Sequence, residues 1–141
     1  MVEIKKEYYD NGNLKSEIPY ENGKRNGVAK TYYLNGNVEY ETPYIDDKRN
    51  GIEKGYYFSG KLWNEMPYKD GKANGVEKRY SEDDYLKCEV PYENGKKNGI
   101  ERYYYPNGDI ECEIEYKYNR SQSIREYKNN KLIKEYKWMI Q

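Results

Sequence analysis

The sequence predicts an all-β protein, an elongated antiparallel meander or solenoid of 24-residue β-hairpin repeats with about eleven or twelve strands. Three observations predict it. Asn-Gly pairs at 26-27, 50-51, 74-75 and 98-99, and Pro-Tyr pairs at 19-20, 43-44, 67-68 and 91-92, return every 24 residues. Turn dipeptides fall at 11-12, 22-23, 35-36, 46-47, 59-60, 70-71, 83-84, 94-95 and 107-108, spaced alternately by 11 and 13. Between the turns, apolar and charged residues alternate with the two-residue period of a strand.

The repeat begins at once. Ile4 stands 24 residues before Val28, and Tyr8-Tyr9 stand 24 before Tyr32-Tyr33. Asn-Gly between alternating apolar residues favours a type I′ turn, because both central residues need positive φ. Each turn dipeptide is therefore expected to close a two-residue hairpin. The shorter strand runs over Asn37–Ile45 and the longer over Lys48–Phe58. The longer one contains the second Asn-Gly, at 50-51. A glycine inside a strand pattern marks a bulge, so two extra residues are expected to kink this strand once per period. Turn residues interrupt the chain too often for helix. The repeats lie near 4–23, 24–47, 48–71, 72–95 and 96–119, with a degenerate C-terminal cap at 120–141. In the cap NGKKNG has become YNRSQS at 118–123, while Tyr116 and Ile124 stay in register. Terminal repeats of solenoids are atypical because they cap the array, and Trp138, Met139 and Ile140 are expected to close the open end.

Register assigns the faces. A turn centred on 35-36 sets Lys30 opposite Glu41, and the same spacing sets Lys6 opposite Glu17, Lys54 opposite Glu65, Lys78 opposite Glu89 and Arg102 opposite Glu113. Every pair is opposite in sign, as cross-strand neighbours prefer. Tyr8, Tyr32, Tyr56, Tyr80 and Tyr104 share this face. Trp63, which replaces Lys or Glu at its place in the repeat, is assigned to it as well. The other face carries Leu14, Ile18, Val38, Leu62, Met66, Leu86, Val90, Ile110 and Ile114, with Tyr9, Tyr33, Tyr57 and Tyr105 opposite members of that row. A single layer leaves such a row without cover, so an exposed apolar strip is expected there.

Composition narrows the function. Lys plus Arg and Asp plus Glu are both 25, so net charge is zero, and the charges alternate. There is no basic footprint for nucleic acid and no polybasic patch for a membrane. The opening MVEIKKEYYD lacks the apolar run of a signal peptide, so a cytoplasmic location is expected. Twenty of the aromatic residues are tyrosine, which can fill a core while its hydroxyl stays hydrated. The chain has no histidine, which removes the commonest general base and metal ligand. Recurring Glu17, Glu41, Glu65, Glu89 and Glu113 face a cation each, so they read as a structural ladder rather than catalytic carboxylates. No enzyme activity, cofactor or metal is expected. Cys88 and Cys112 occupy one slot in adjacent repeats and would sit ~9–10 Å apart across one intervening strand, too far for a disulfide; they are expected to be reduced.

The strings from Tyr8 to Glu17 and from Pro19 to Gly27, repeated from Tyr32, Tyr56 and Tyr104, resemble the bacterial variant of the MORN repeat and the YwqK family, some members of which are labelled antitoxins. The pattern departs at Ser59 and at Asp83-Asp84, where it calls for Asn. The resemblance implies a sheet of hairpins acting in protein or lipid contacts. Together with the missing catalytic chemistry it points to a non-catalytic protein–protein interaction scaffold of antitoxin-like type, binding another protein or a second copy of itself. The alternative is a carbohydrate-binding or cell-surface repeat module. The expected partner-binding residues are Tyr9, Tyr33, Tyr57, Tyr105, Trp63, Leu62 and Met66.

Overall fold

Two kinds of turn alternate along the chain, and they differ from the uniform type I′ turns expected. At 22-23, 46-47, 70-71 and 94-95 both central residues have positive φ, as a two-residue type I′ turn requires. At 35-36 only Gly36 does. There the Gly36 N–H donates to the Tyr33 carbonyl and the Tyr33 N–H to the Asn37 carbonyl, so the loop is a type I turn closed by a left-handed glycine. The same arrangement recurs at Gly12, Gly60 and Gly108. Asp84, at φ +64°, takes the glycine's place in the fourth repeat, where the Asp83 N–H donates to the Ser81 hydroxyl. An Asn-Gly dipeptide serves either turn, which is why the dipeptide alone did not separate them.

The computed structural model describes residues 1–138; Met139 and Ile140, expected to help close the end, lie outside them. The chain forms two compact units, Met1–Lys72 and Ala73–Gln141. The first contains β1 (Val2–Tyr8), β2 (Leu14–Glu21), β3 (Lys24–Arg25), β4 (Gly27–Tyr32), β5 (Val38–Ile45), β6 (Lys48–Arg49), β7 (Gly51–Tyr56) and β8 (Leu62–Lys69). β9 (Lys72–Ala73) falls at the boundary. The second contains β10 (Gly75–Tyr80), β11 (Leu86–Glu93), β12 (Lys96–Lys97), β13 (Gly99–Tyr104), β14 (Ile110–Lys117), β15 (Arg120–Lys128) and β16 (Lys131–Lys137). The fold is an open antiparallel meander of hairpins with 16 strands among the described residues. The count exceeds the expected one because each longer strand is split at its internal Asn-Gly. Tyr44 pairs with Arg49, yet Glu41 pairs with Lys54, so two extra residues enter the longer strand across the break. Gly27, Gly51 and Gly99 sit there at φ +110° to +117°, and a Cβ at any of them would press on Pro19, Pro43 or Pro91. In the degenerate repeat, Glu115 pairs with Ser123 but Tyr116 with Ser121, a single-residue bulge.

All five cross-strand pairs of the ladder are present in the register read from the sequence. Next to each type I turn the register slips, leaving one residue unpaired on the second strand: Lys15, Glu39, Trp63, Lys87 or Glu111. A bulge breaks the strict alternation of faces, and this corrects the placing of Trp63. It does not lie with Tyr32 and Tyr56. It is half-buried over Gly55 on the opposite face, where a Cβ at Gly55 would stand 3.0 Å from Trp63 Cε3 and 3.0 Å from Tyr40 Cε1. Lys15 in the equivalent slot lies over the Tyr9 ring, 5.7 Å from its centroid.

The apolar row also differs from expectation. Leu14, Ile18, Val38, Leu62 and Met66 in the first unit are half-buried, as are Leu86, Ile110 and Ile114 in the second, and Val90 is fully buried. Tyrosines Tyr20, Tyr44, Tyr68 and Tyr116 carry cations over their rings: Lys5 at 4.4 Å, Arg25 at 4.3 Å, Arg49 at 4.9 Å and Lys97 at 4.8 Å. The bulge also divides this row: Leu14, Val38, Leu62, Leu86 and Ile110 pair with Tyr8, Tyr32, Tyr56, Tyr80 and Tyr104 and so lie on the ladder face, while Ile18, Met66, Val90 and Ile114 stay on the opposite face, where these aromatic and aliphatic stems leave little of them open. Cys88 and Cys112 are both free thiols, and burial pushes each above its ordinary pKa.

Candidate interaction surfaces

The ladder face is held together by tyrosine hydroxyls. Within the first unit Tyr32 Oη donates to Glu17 Oε2 at 3.3 Å and Tyr56 Oη to Glu41 Oε1 at 2.6 Å. Within the second, Tyr104 donates to Glu89 and Tyr127 to Glu113, each at 2.5 Å. Each bond joins a hairpin to the one before it. Burial and then the hydrogen bond to Glu41 push the Tyr56 hydroxyl up to about 12, and Tyr104 rises to about 12 by burial and its bond to Glu89. Burial opposes ionisation of Glu113, but hydrogen bonds from Tyr127 and Arg102 outweigh it and hold the carboxyl below its ordinary range.

A raised phenol pKa means the folded chain holds its protons longer than the unfolded one. The stability this contributes is present in full below about pH 10, where free phenols titrate, and is lost as pH climbs toward about 12. Absorbance at 295 nm is expected to show a group of tyrosines ionising well above the rest, moving down to about pH 10 in denaturant. Identical folded and denatured curves would contradict the ladder.

The tyrosines named from the sequence as partner-binding are engaged within the fold. Tyr9 Oη donates to the Tyr32 carbonyl and Tyr33 Oη to the Tyr56 carbonyl, both at 2.6 Å, and Tyr105 Oη to the Tyr127 carbonyl at 3.3 Å. The Tyr57 N–H closes its turn on the Lys61 carbonyl. Leu62 and Met66 both lie in β8 and are half-buried, but Leu62 pairs with Tyr56 on the ladder face and Met66 with Glu53 on the opposite face, which Trp63 shares. These residues therefore do not all share one face, and the hydroxyls of Tyr9, Tyr33 and Tyr105 are turned to neighbouring hairpins.

Sequence reasoning missed two features. One is a buried carboxylate after three of the four internal Asn-Gly pairs, Ala29 taking its place after the first. Glu53 accepts from the Thr42 hydroxyl at 2.7 Å and faces Arg49 at 3.8 Å. Glu77 is only 2% exposed and takes the Arg79 Nε at 2.7 Å. Glu101, equally buried, takes Lys97 Nζ at 3.1 Å and the Tyr103 hydroxyl at 3.3 Å. The recurrence of Glu two places after the glycine was the available signal. The other is a row of β-branched residues on the ladder face. Val28 and Ile52 are 49% and 53% exposed, Ile4 and Val76 are similarly open, and each stands opposite a proline: Pro43, Pro67, Pro19 and Pro91. Proline has no N–H and offers little width, so nothing on the facing strand covers them. The 24-residue recurrence of Ile4, Val28, Ile52, Val76 and Ile100 was visible in the sequence. No group of three or more metal-capable side chains occurs among the described residues.

A family model described as the MORN repeat variant matches residues 4–22, 25–46, 49–70 and 97–118, each span covering one hairpin: the longer strand, the type I turn and the shorter strand after it. The chain belongs to the MORN repeat variant family. No curated protein matches it. The MORN variant repeat that the family model passes over, near 72–95, carries Ser81 and Asp83-Asp84 around its turn, yet β10 and β11 pair in the common register. It keeps the hydrogen bonding of the motif through Asp84 while losing its spelling.

Proposed function

We propose that this MORN-variant chain is a non-catalytic scaffold that binds another protein, in the manner of an antitoxin. One observation carries the reading: the exposed β-branched residues Ile4, Val28 and Ile52 of the first unit and Val76 of the second recur on the face where tyrosine hydroxyls such as those of Tyr32 and Tyr56 are bonded to glutamates of the fold. Apolar side chains left open beside glutamates already bonded to tyrosines favour a partner that brings its own apolar surface. A carbohydrate-binding reading is weaker, because stacking on a sugar needs an open aromatic plane and Trp63 is packed over Gly55.

Capture from the source cell, quantified by mass spectrometry, compares the chain with two variants. Val28→Lys with Ile52→Lys is expected to lose one specific protein that wild type and Met66→Lys both retain, with the β-type circular dichroism unchanged. If the second variant alone loses it while folded, the partner uses the face of Met66, Trp63 and the Tyr9 row. If neither does, the scaffold reading fails. Co-expression tests the antitoxin part: the captured protein alone is expected to arrest growth, and the scaffold to relieve the arrest.

A further inference from the structure

The junctions between hairpins follow one rule. The earlier strand presents a glutamate, and the later strand presents a base opposite it with a tyrosine two residues on. Glu17 meets Lys30 and receives Tyr32; Glu41 meets Lys54 and receives Tyr56; Glu89 meets Arg102 and receives Tyr104. At the degenerate repeat Glu113 meets Arg125 and receives Tyr127. The two outermost strands each hold half of such a junction. β1 carries the base and the tyrosine, Lys6 and Tyr8, and pairs only with β2. Tyr8 is 58% exposed, and its hydroxyl has no partner among the described residues. β16 carries the glutamate, Glu135, set against Arg125 as Glu17 is set against Lys6. It pairs only with β15, no tyrosine reaches it among the described residues, and every residue of β1 and of β16 is exposed.

We infer that a second copy of this chain docks head to tail, its β1 adding to β16 as one more antiparallel strand. The register that places Glu135 opposite Lys6 of the next copy also places Lys134 opposite Glu7, the place of the Ser16–Thr31 pair inside the chain. Both cross-strand pairs are then opposite in charge, and the Tyr8 hydroxyl reaches Glu135 as Tyr32 reaches Glu17. Strand addition supplies backbone hydrogen bonds to two edges that otherwise bond only to water. The contact joins unlike surfaces, so it builds a ring or an open series of copies and not a two-fold dimer. One strand pair is a small interface, and its charges make it sensitive to salt.

Sedimentation over a range of concentration and ionic strength tests this. Wild type is expected to grow beyond monomer with concentration and to shrink with added salt. Lys6→Glu and Glu135→Lys each set like charges across the contact, and each alone is expected to weaken association by roughly tenfold or more. An equimolar mixture of the two associates again, since each supplies the edge the other lacks. Tyr8→Phe, which alters one exposed hydroxyl and leaves the fold intact, is expected to weaken association without abolishing it. Wild type that stays monomeric at millimolar concentration overturns the inference. So does association that survives Lys6→Glu but not Glu135→Lys, which would mean like edges pairing.

Discussion

Arg79→Ala is expected to remove about 3–5 kcal/mol from the second unit, a large share of what holds a small domain together. Arg79 Nε lies 2.7 and 3.1 Å from the two Glu77 oxygens, and Glu77 has almost no contact with water. The guanidinium is the partly open member of the pair; hydrogen bonding to Glu77 holds its pKa above the ordinary value. Removing it leaves a buried carboxylate with neither solvent nor counter-charge, which is the costly half of breaking such a pair. Replacing both residues by methionine removes the charge as well as its partner and is expected to cost far less. Arg125→Ala is the control. Its pair with Glu135 lies at the surface, so a midpoint close to that of wild type is expected. Guanidinium denaturation of the three variants gives the comparison. An Arg79→Ala midpoint close to that of wild type would mean that Glu77 finds water or another cation.

Gly55→Thr is expected to destabilise the first unit by about 1–3 kcal/mol, through overpacking. Threonine is the residue at the equivalent position 31, so local strand preference favours the change. Space forbids it. A Cβ at Gly55 would stand 2.4 Å from Asn64 Oδ1 as well as pressing on Trp63 and Tyr40, and Asn64 is buried. The glycine and the tryptophan have drifted together, one giving up the volume the other fills. Adding Trp63→Lys and Asn64→Ser, the residues found at 15 and 16, is expected to recover most of the loss, because neighbouring substitutions are not additive. A triple variant as unstable as Gly55→Thr alone would show that the strain lies in the backbone.

The ladder was legible because a strand register is arithmetic: one turn position and the signs of ten charges settled it. The tyrosine bonds between hairpins were not, since Tyr32 reaches Glu17 across the junction and not along the hairpin in which its own partner was sought. Trp63 was set on the wrong face because alternation was carried through the bulge, where one residue has no opposite number. The same bulge moves Leu14, Val38, Leu62, Leu86 and Ile110 to the ladder face, and the cover over the rest of the apolar row is not legible in sequence, which does not tell how far long side chains such as Arg25 and Arg49 reach over it. The buried carboxylates stayed hidden for a related reason. Glu77 and Arg79 are two apart on one strand, a spacing that in an open sheet reads as two solvated neighbours.

The tyrosine bonds that tie each hairpin to the next carry a consequence for the rate of folding. Tyr9 and Tyr33 each reach a carbonyl 23 residues ahead, and Tyr32 and Tyr56 each reach a carboxylate 15 residues behind. Every closure is therefore short and of nearly the same length, whatever its place in the unit. An all-β chain is ordinarily slow because distant strands must meet before any reward arrives. Here the entropic cost of each added hairpin is the same small loop. Nucleation can begin at whichever hairpin forms first and spread outward through its neighbours, so that a defect in one repeat delays the repeats beside it and leaves the far ones to fold at their own pace.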